Sequence, residues 1–154
     1  MYLSKDAPTG TIAHELFHEI DDNYSLIRDG MLKQAVQQDY RRLQNLAKGY
    51  GKSIEEMLYL KYKEAFIEID GYLELKGEYR GISDILDGMS DGQVSLGYGH
   101  DGEYWKKEGK LEAETFAQFG RCFYEDDADV LSMLKDIFPK CNNEIMETLK
   151  GLIE

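Results

Sequence analysis

The stretch that decides the fold reads TIAHELFHEIDD and spans residues 11–22. It contains the pattern HExxH, in which His14 and His18 lie four residues apart. On a helix this spacing places both imidazoles on one face, where they can bind one metal ion. Glu15 then lies beside the open position of the metal and can accept a proton from a metal-bound water. The segment therefore predicts a helix that binds one zinc ion, with Glu15 as the catalytic base.

A zinc site of this type needs a third protein ligand, and the residues leave four candidates: Asp21, His100, Glu112 and Glu114. Asp21 follows His18 by three residues, but one straight helix rarely supplies three ligands, so we expect Asp21 to orient a histidine ring. Glu112 and Glu114 are two residues apart and point to nearly opposite sides of a helix. Glu114 lies nearer the buried stripe, which favours it over Glu112. His100 stands among glycines and is open to three interpretations: a turn residue, a substrate contact or a ligand.

Composition limits the classes of function. The chain has 154 residues, enough for one compact domain over residues 1–154, and a formal net charge of −12. Nucleic acid is excluded as a partner because phosphate binding needs a basic surface. No apolar run is long enough to cross a membrane, and residues 1–10 lack the features of a signal peptide. We therefore expect a cytoplasmic protein, and the position of HExxH so near the start favours a fragment of a longer one.

The pattern along the chain predicts a mainly α fold. Thr11, Ser53 and Asn142 are the predicted N-caps, and Ser53 with Glu56 has the spacing of a capping box. The glycine- and aromatic-rich stretch over residues 93–107 predicts a small β-hairpin or an ordered loop. The predicted helices span residues 11–28, 31–48, 54–76, 82–89, 111–124, 128–138 and 142–154.

Three segments carry a resemblance to a known family. HELFHEIDD (14–22) and EAETFAQF (112–119) resemble the catalytic domain of anthrax lethal factor-type zinc metalloproteases. The segment over residues 82–109 is still more similar to zincin domains of phage minor capsid and head-morphogenesis proteins, which carry GHxxxYW ahead of such a helix. Residues 134–140, LKDIFPK, are also similar to them. The resemblance covers nearly the whole chain and implies a zincin-like fold of the gluzincin type.

The resemblance also implies roles for individual residues. It makes His14 and His18 zinc ligands, Glu15 the base and Glu114 the third ligand. In lethal factor-type enzymes a tyrosine ahead of the glutamate helix supports the developing oxyanion, and Tyr98 fits that place best. Tyr104 is the alternative, and Asp21, His100 and Tyr104 are further candidates for supporting a ligand or contacting substrate.

Two functions follow as hypotheses. The first is a zinc-dependent endopeptidase of phage or prophage origin, acting on a protein during head assembly or on a host target. The second is a module of a phage minor capsid protein that keeps zinc for stability and catalyses nothing. The partners would be a protein or peptide substrate in the first case and other virion proteins in the second, in the bacterial cytoplasm or the virion. An intact Glu15 favours catalysis, because a purely structural zinc site does not need it.

Overall fold

The computed structural model describes residues 8–154 and is mainly helical, as predicted. One short antiparallel sheet accompanies the helices, with β1 (Phe66–Ile69) paired to β2 (Tyr72–Leu75). No helix within these residues combines the length and hydropathy that a membrane span requires. The helices are α1 (Thr9–Tyr24), α2 (Met31–Tyr50), α3 (Ile54–Lys61), α4 (Arg80–Met89), α5 (Gly102–Trp105), α6 (Lys110–Glu125), α7 (Ala128–Ile137) and α8 (Pro139–Gly151).

Helix α6 lies at the centre of the domain. Its Phe116 and Phe119 are fully buried, and the helix contacts α1 on one side and α4 on another. Helices α2, α7 and α8 complete the apolar core around Leu134 and Phe138. The residues proposed for the site on α6 are therefore carried by a helix that is held by packing on several sides.

The crossing of α1 over α6 depends on a glycine. A Cβ added to Gly120 would lie 2.1 Å from Cγ of Phe17, far inside van der Waals contact. Phe17 also packs against Phe116, with ring centroids 5.2 Å apart. Because Gly120 has no side chain, the α1 backbone approaches α6 closely enough for side chains of both helices to share one site.

The first helix differs from its prediction at both ends. It begins at Thr9 after Pro8, without a side-chain cap, so the assignment of Thr11 as N-cap was wrong. It ends at Tyr24, where Ser25 takes a left-handed φ of 53°, and not at residue 28. Leu16 is 49% exposed, so α1 is buried on one face only.

The third predicted helix was wrong beyond residue 61. The Ser53–Glu56 capping box is present, but the chain leaves the helix at Tyr62 and forms the β1–β2 hairpin over residues 66–75. Asp70 and Gly71 both have positive φ, as a two-residue hairpin turn requires. Asp-Gly between two apolar segments is a hairpin signal that the sequence contains, and the predicted helix over residues 54–76 overlooked it.

Residues 93–107 form an ordered loop with the single helical turn α5, so of the two predictions for this stretch the loop is correct. Buried Val94 and Leu96 anchor its first part, and the Leu96 carbonyl accepts a hydrogen bond from the Leu75 amide. The Asp101 side chain caps α5 by accepting from the Tyr104 amide at 2.8 Å. The loop is therefore held at both ends and presents residues 98–104 in one defined arrangement.

Helix α8 begins at Pro139, so Asn142 is not its N-cap. The fully buried Asp39 of α2 takes that role from a distant part of the chain. Its two carboxylate oxygens accept from the amides of Lys140 at 3.1 Å and Cys141 at 2.9 Å. A carboxylate at a helix N-terminus satisfies free amides and complements the helix dipole.

Asp39→Ala should lower the free energy of unfolding by roughly 2 kcal/mol, because it leaves two amides of the first turn of α8, one of them buried, without an acceptor. Urea unfolding followed by circular dichroism measures the change. Asn143→Ala, on the exposed face of the same helix, is the matched control and should stay within about 0.5 kcal/mol of wild type. An equal loss in both variants would contradict the assigned cap.

Candidate metal centre

The structure brings His14 and His18 of α1 together with Glu114 of α6. The Nε2 atom of His14 lies 3.0 Å from Oε2 of Glu114, and Nε2 of His18 lies 3.3 Å from Oε1. One donor atom of each residue lies within 4.8 Å of the others. The two imidazoles are edge to face, with ring centroids 4.7 Å apart. The three side chains thus converge on one point between the crossing helices.

The Glu114 carboxylate is nearly inaccessible, with the residue 4% exposed. Its Oε1 atom also accepts a hydrogen bond from the Tyr104 hydroxyl of α5. Burial alone would raise the pKa of Glu114, but the hydrogen bonds from His14, His18 and Tyr104 outweigh it and hold the pKa well below the usual range. Glu114 is therefore an ionised, preoriented oxygen donor.

The electrostatics of His18 mirror those of Glu114. Burial would lower the pKa of His18, but its hydrogen bond to Glu114 and the charges of Glu114 and Glu15 raise it above 6.5. Without a cation between His18 and Glu114, a proton on His18 stabilises the pair. A divalent cation at the same point would replace that proton, since metal ligands must be deprotonated.

The donor set fits zinc. Two imidazole nitrogens and one carboxylate oxygen are ligands that zinc accepts, and catalytic zinc sites have three protein ligands and one open position. One side of the cluster is accessible, because the His18 side chain is 25% exposed and that of Glu15 is 43% exposed. Oε1 of Glu15 lies 3.5 Å from Nδ1 of His14, which keeps its carboxylate next to the cluster.

A second polar group adjoins the first. His100 donates from Nδ1 to Oδ1 of Asp84 at 2.8 Å, and Gln118 donates to Oδ2 of the same carboxylate at 2.7 Å. The His100 ring stacks on Tyr104 with centroids 4.1 Å apart. Asp84 is fully buried, which raises its pKa despite the hydrogen bonds from Gln118 and His100. Donor atoms of Asp84, His100 and Glu114 also lie within 4.8 Å of one another, so His100 belongs to the same site.

Buried Asp87 fixes the loop that carries His100. Its Oδ2 atom accepts from the Trp105 indole at 2.7 Å and from the His100 amide at 3.2 Å. A Cβ at Gly99 would lie 2.5 Å from this carboxylate, so only glycine allows the loop to approach so closely. Trp105 is thus a buried residue whose indole N–H has a partner.

Three residues of the site were not predicted from the sequence: Asp84, Asp87 and Gln118. Asp84 and Asp87 both lie on α4 among buried Ile82, Ile85 and Leu86. Acids inside an apolar stripe are informative, because a buried carboxylate needs partners. This signal was present in the sequence, although it does not identify the partner.

The other predicted residues lie as follows. Tyr98 is 42% exposed beside His100, and Ser83 holds its backbone by two hydrogen bonds. Tyr104 contacts Glu114 directly. Oδ1 of Asp21 accepts from the Ile27 amide at 3.2 Å, and Asp21 forms no hydrogen bond to either α1 histidine within residues 8–154. Glu112 lines a separate cavity together with Asp21 and lies outside the cluster.

Comparison of the chain with models of protein families, with curated protein sequences and with solved structures finds no match.

The geometry predicts the order of zinc affinities among three variants. Glu114→Ala should weaken binding by more than the roughly 10–100-fold typical of losing an outer partner, while His100→Ala should stay within that range. Glu112→Ala is the matched control and should bind like wild type. Competition titration with a chromophoric chelator measures all three. A large loss for His100→Ala with Glu114→Ala near wild type would reverse the assignment.

Stability of the chelator-treated protein should depend on pH through His18. Because its pKa is raised on folding, His18 stabilises the fold fully below pH 6.5 and progressively less as pH rises through the folded pKa. Glu114, with a lowered pKa, contributes above pH 4.5 and loses its contribution below. As pH rises above 6.5, the urea midpoint should therefore fall more steeply in wild type than in His18→Gln. Parallel pH profiles would show that the pair does not contribute.

Proposed function

We propose that this domain is a zinc metallopeptidase of the zincin type, with a protein or peptide as its substrate. His14, His18 and Glu114 would hold the metal. The observation that carries the proposal is the convergence of these three donors with Glu15 beside them on an accessible side. When bound, zinc would supply a Lewis acid that polarises the peptide carbonyl and acidifies a water.

Glu15 is the base in this proposal. Its carboxylate is partly exposed, forms no side-chain hydrogen bond within residues 8–154 and lies 3.5 Å from the His14 ring. A carboxylate in this position can accept a proton from the attacking water and deliver it to the leaving amine. By contrast, the Glu114 carboxylate is held ionised by three donors and is suited to ligation and not to proton transfer.

His100 and Tyr98 are the donors for the oxyanion in this proposal. Asp84 accepts from Nδ1 of His100 and holds the ring in one orientation. In the imidazolium form of a histidine the other nitrogen, Nε2, is also a donor. Tyr98 lies next to it, with ring centroids 6.4 Å apart, on a backbone held by Ser83. A preoriented donor stabilises developing negative charge because it needs no reorganisation during the reaction. The Tyr104 hydroxyl is engaged with Glu114, and so we assign it to positioning that ligand.

The accessible side distinguishes this proposal from a structural zinc site. Structural sites are closed by four protein ligands. Here three donors converge, and the neighbouring side chains of Glu15 and His100 are polar and partly exposed. A structural zinc site does not need an Asp–His pair beside it. At a catalytic site such a pair can stabilise the charge that develops during the reaction.

Glu15→Gln should keep zinc and fold while lowering peptide cleavage by about 10²–10⁴-fold, because an amide cannot accept the proton. Cleavage of a fluorogenic peptide library, with and without added zinc, measures the effect. Glu19→Gln, exposed on the next turn of α1, makes the same charge change and should leave the rate unchanged. If the library is not cleaved by zinc-loaded wild type, or if both variants retain its rate, the proposal fails.

A further inference from the structure

The Glu114 carboxylate belongs to two groups of potential metal ligands. The first group contains the two α1 histidines described above. The second joins Glu114 to Asp84 of α4 and His100 of the loop before α5, and one donor atom of each residue again lies within 4.8 Å of the others. The two groups therefore meet at one buried carboxylate.

This part of the molecule buries more acids than it has cations to balance them. Asp84 is fully buried, Asp87 is 6% exposed and Glu114 is 4% exposed. Within residues 8–154 none of these three forms an ion pair with a lysine or an arginine. Glu15 adds a further carboxylate beside the cluster. A buried carboxylate is costly unless it is paired or coordinates a metal, and one divalent cation balances the charge of only two.

Two lysines near the site do not supply the missing charge. The Nζ atoms of Lys107 and Lys110 lie 5.9 and 5.6 Å from the centre of the Tyr104 ring. Both side chains are exposed, and neither forms a salt bridge with an acid in the described part of the chain. The balancing charge therefore has to come from outside the chain.

We propose that Asp84, His100 and Glu114 bind a second divalent transition-metal ion, which shares the Glu114 carboxylate with the first. This inference rests on the metal centre proposed above and adds an ion to it. Asp84 and His100 already face each other, with Oδ1 2.8 Å from Nδ1. The imidazole nitrogen favours a transition metal, because magnesium and calcium prefer oxygen ligands. Hydrolytic sites with two metal ions place them about 3.5–4 Å apart, close enough to share a carboxylate.

The surroundings of Asp84 and His100 suit a pair of ligands. Gln118 donates to Oδ2 of Asp84 at 2.7 Å, which fixes the carboxylate and leaves Oδ1 directed at His100. Asp87 accepts from the His100 amide and so holds the loop. Such outer hydrogen bonds orient metal ligands. The His100 side chain is 28% exposed, so a cation can reach the group from solvent.

A cation at Nδ1 is compatible with the role proposed for His100 in the reaction. A neutral imidazole carries one N–H, and coordination through Nδ1 requires that hydrogen to be on Nε2. The second ion would therefore keep Nε2 a donor toward the oxyanion without a protonated ring.

Zinc stoichiometry tests the inference without any cleavage. Chelator-stripped protein is dialysed against a series of zinc concentrations, and the bound zinc is measured by elemental mass spectrometry. Wild type should bind about two zinc ions per chain. The second should bind more weakly, because the Glu114 charge that it shares is already partly neutralised by the first.

Asp84→Asn and His100→Gln should each lower the bound zinc to about one ion per chain, since the tight site keeps its three ligands. Asp84→Asn preserves the shape of the side chain. Gln118 has an unpaired Oε1 atom within the described residues and can turn its amide to accept from the new NH₂ group. Retention of the tight zinc shows that α1 still crosses α6. Glu112→Gln removes a carboxylate outside both groups and is the matched control, which should bind zinc like wild type.

Cobalt(II) distinguishes a shared site from adventitious binding to a chain of net charge −12. Two cobalt ions joined by one carboxylate are magnetically coupled. The electron paramagnetic resonance signal of the fully loaded wild type should therefore be smaller than that of two independent ions. Because this measurement needs no variant, it decides the matter even if Asp84→Asn and His100→Gln fail to fold.

Three results would overturn the inference. They are a wild type that binds no more than one zinc, a second zinc that persists in both variants, and two cobalt ions without coupling. A single zinc together with peptide cleavage rejects the second site and leaves the peptidase proposal intact. Two coupled ions without any cleavage do the reverse.

Discussion

The arrangement of the whole site depends on the close crossing of α1 over α6. Gly120 allows it, because any side chain there would overlap Phe17. The same crossing brings the two α1 histidines to within hydrogen-bonding distance of Glu114. A wider separation of the helices would preserve each helix but would separate the nitrogen donors from the oxygen donor. One missing side chain on α6 is thus a precondition for the chemistry proposed at residues 14, 18 and 114.

Helix α6 also carries an acidic, an amide and a basic side chain in succession along one of its faces. Glu114 faces the histidines, Gln118 binds the buried Asp84 and Arg121 is itself buried. These positions recur every three or four residues and so share a face. A negative group, a neutral amide and a positive group therefore follow one another between α1 and α4, in a region with little solvent. Electrostatic interactions are strong there because few waters screen them.

The sequence predicted the parts of the site that depend on periodicity within one helix. The spacing of His14 and His18 and the phase of Glu114 relative to Glu112 needed only the geometry of a single helix. The pairing of Asp84 with His100 and the capping of α8 by Asp39 join segments far apart in the chain, and no local pattern encodes such contacts. The β1–β2 hairpin is a different case, because its Asp-Gly turn was visible but the apolar spacing of Ile54, Leu58 and Ile69 favoured a helix. A local turn signal outweighed a helical pattern that held for only two turns.

The distance along the chain between His14 and Glu114 has a consequence for how the domain opens. The buried residues of α1 are Gly10, Ala13 and Asp21, whereas α2, α3, α4, α6, α7 and α8 share a continuous apolar core. Helix α1 can therefore unfold locally while that core stays folded. The contact between His14 and Glu114 closes a loop of 100 residues, and closing such a loop costs conformational entropy. A bound cation would thus hold α1 against α6. Its loss would separate the proposed catalytic groups while the rest of the domain stays folded.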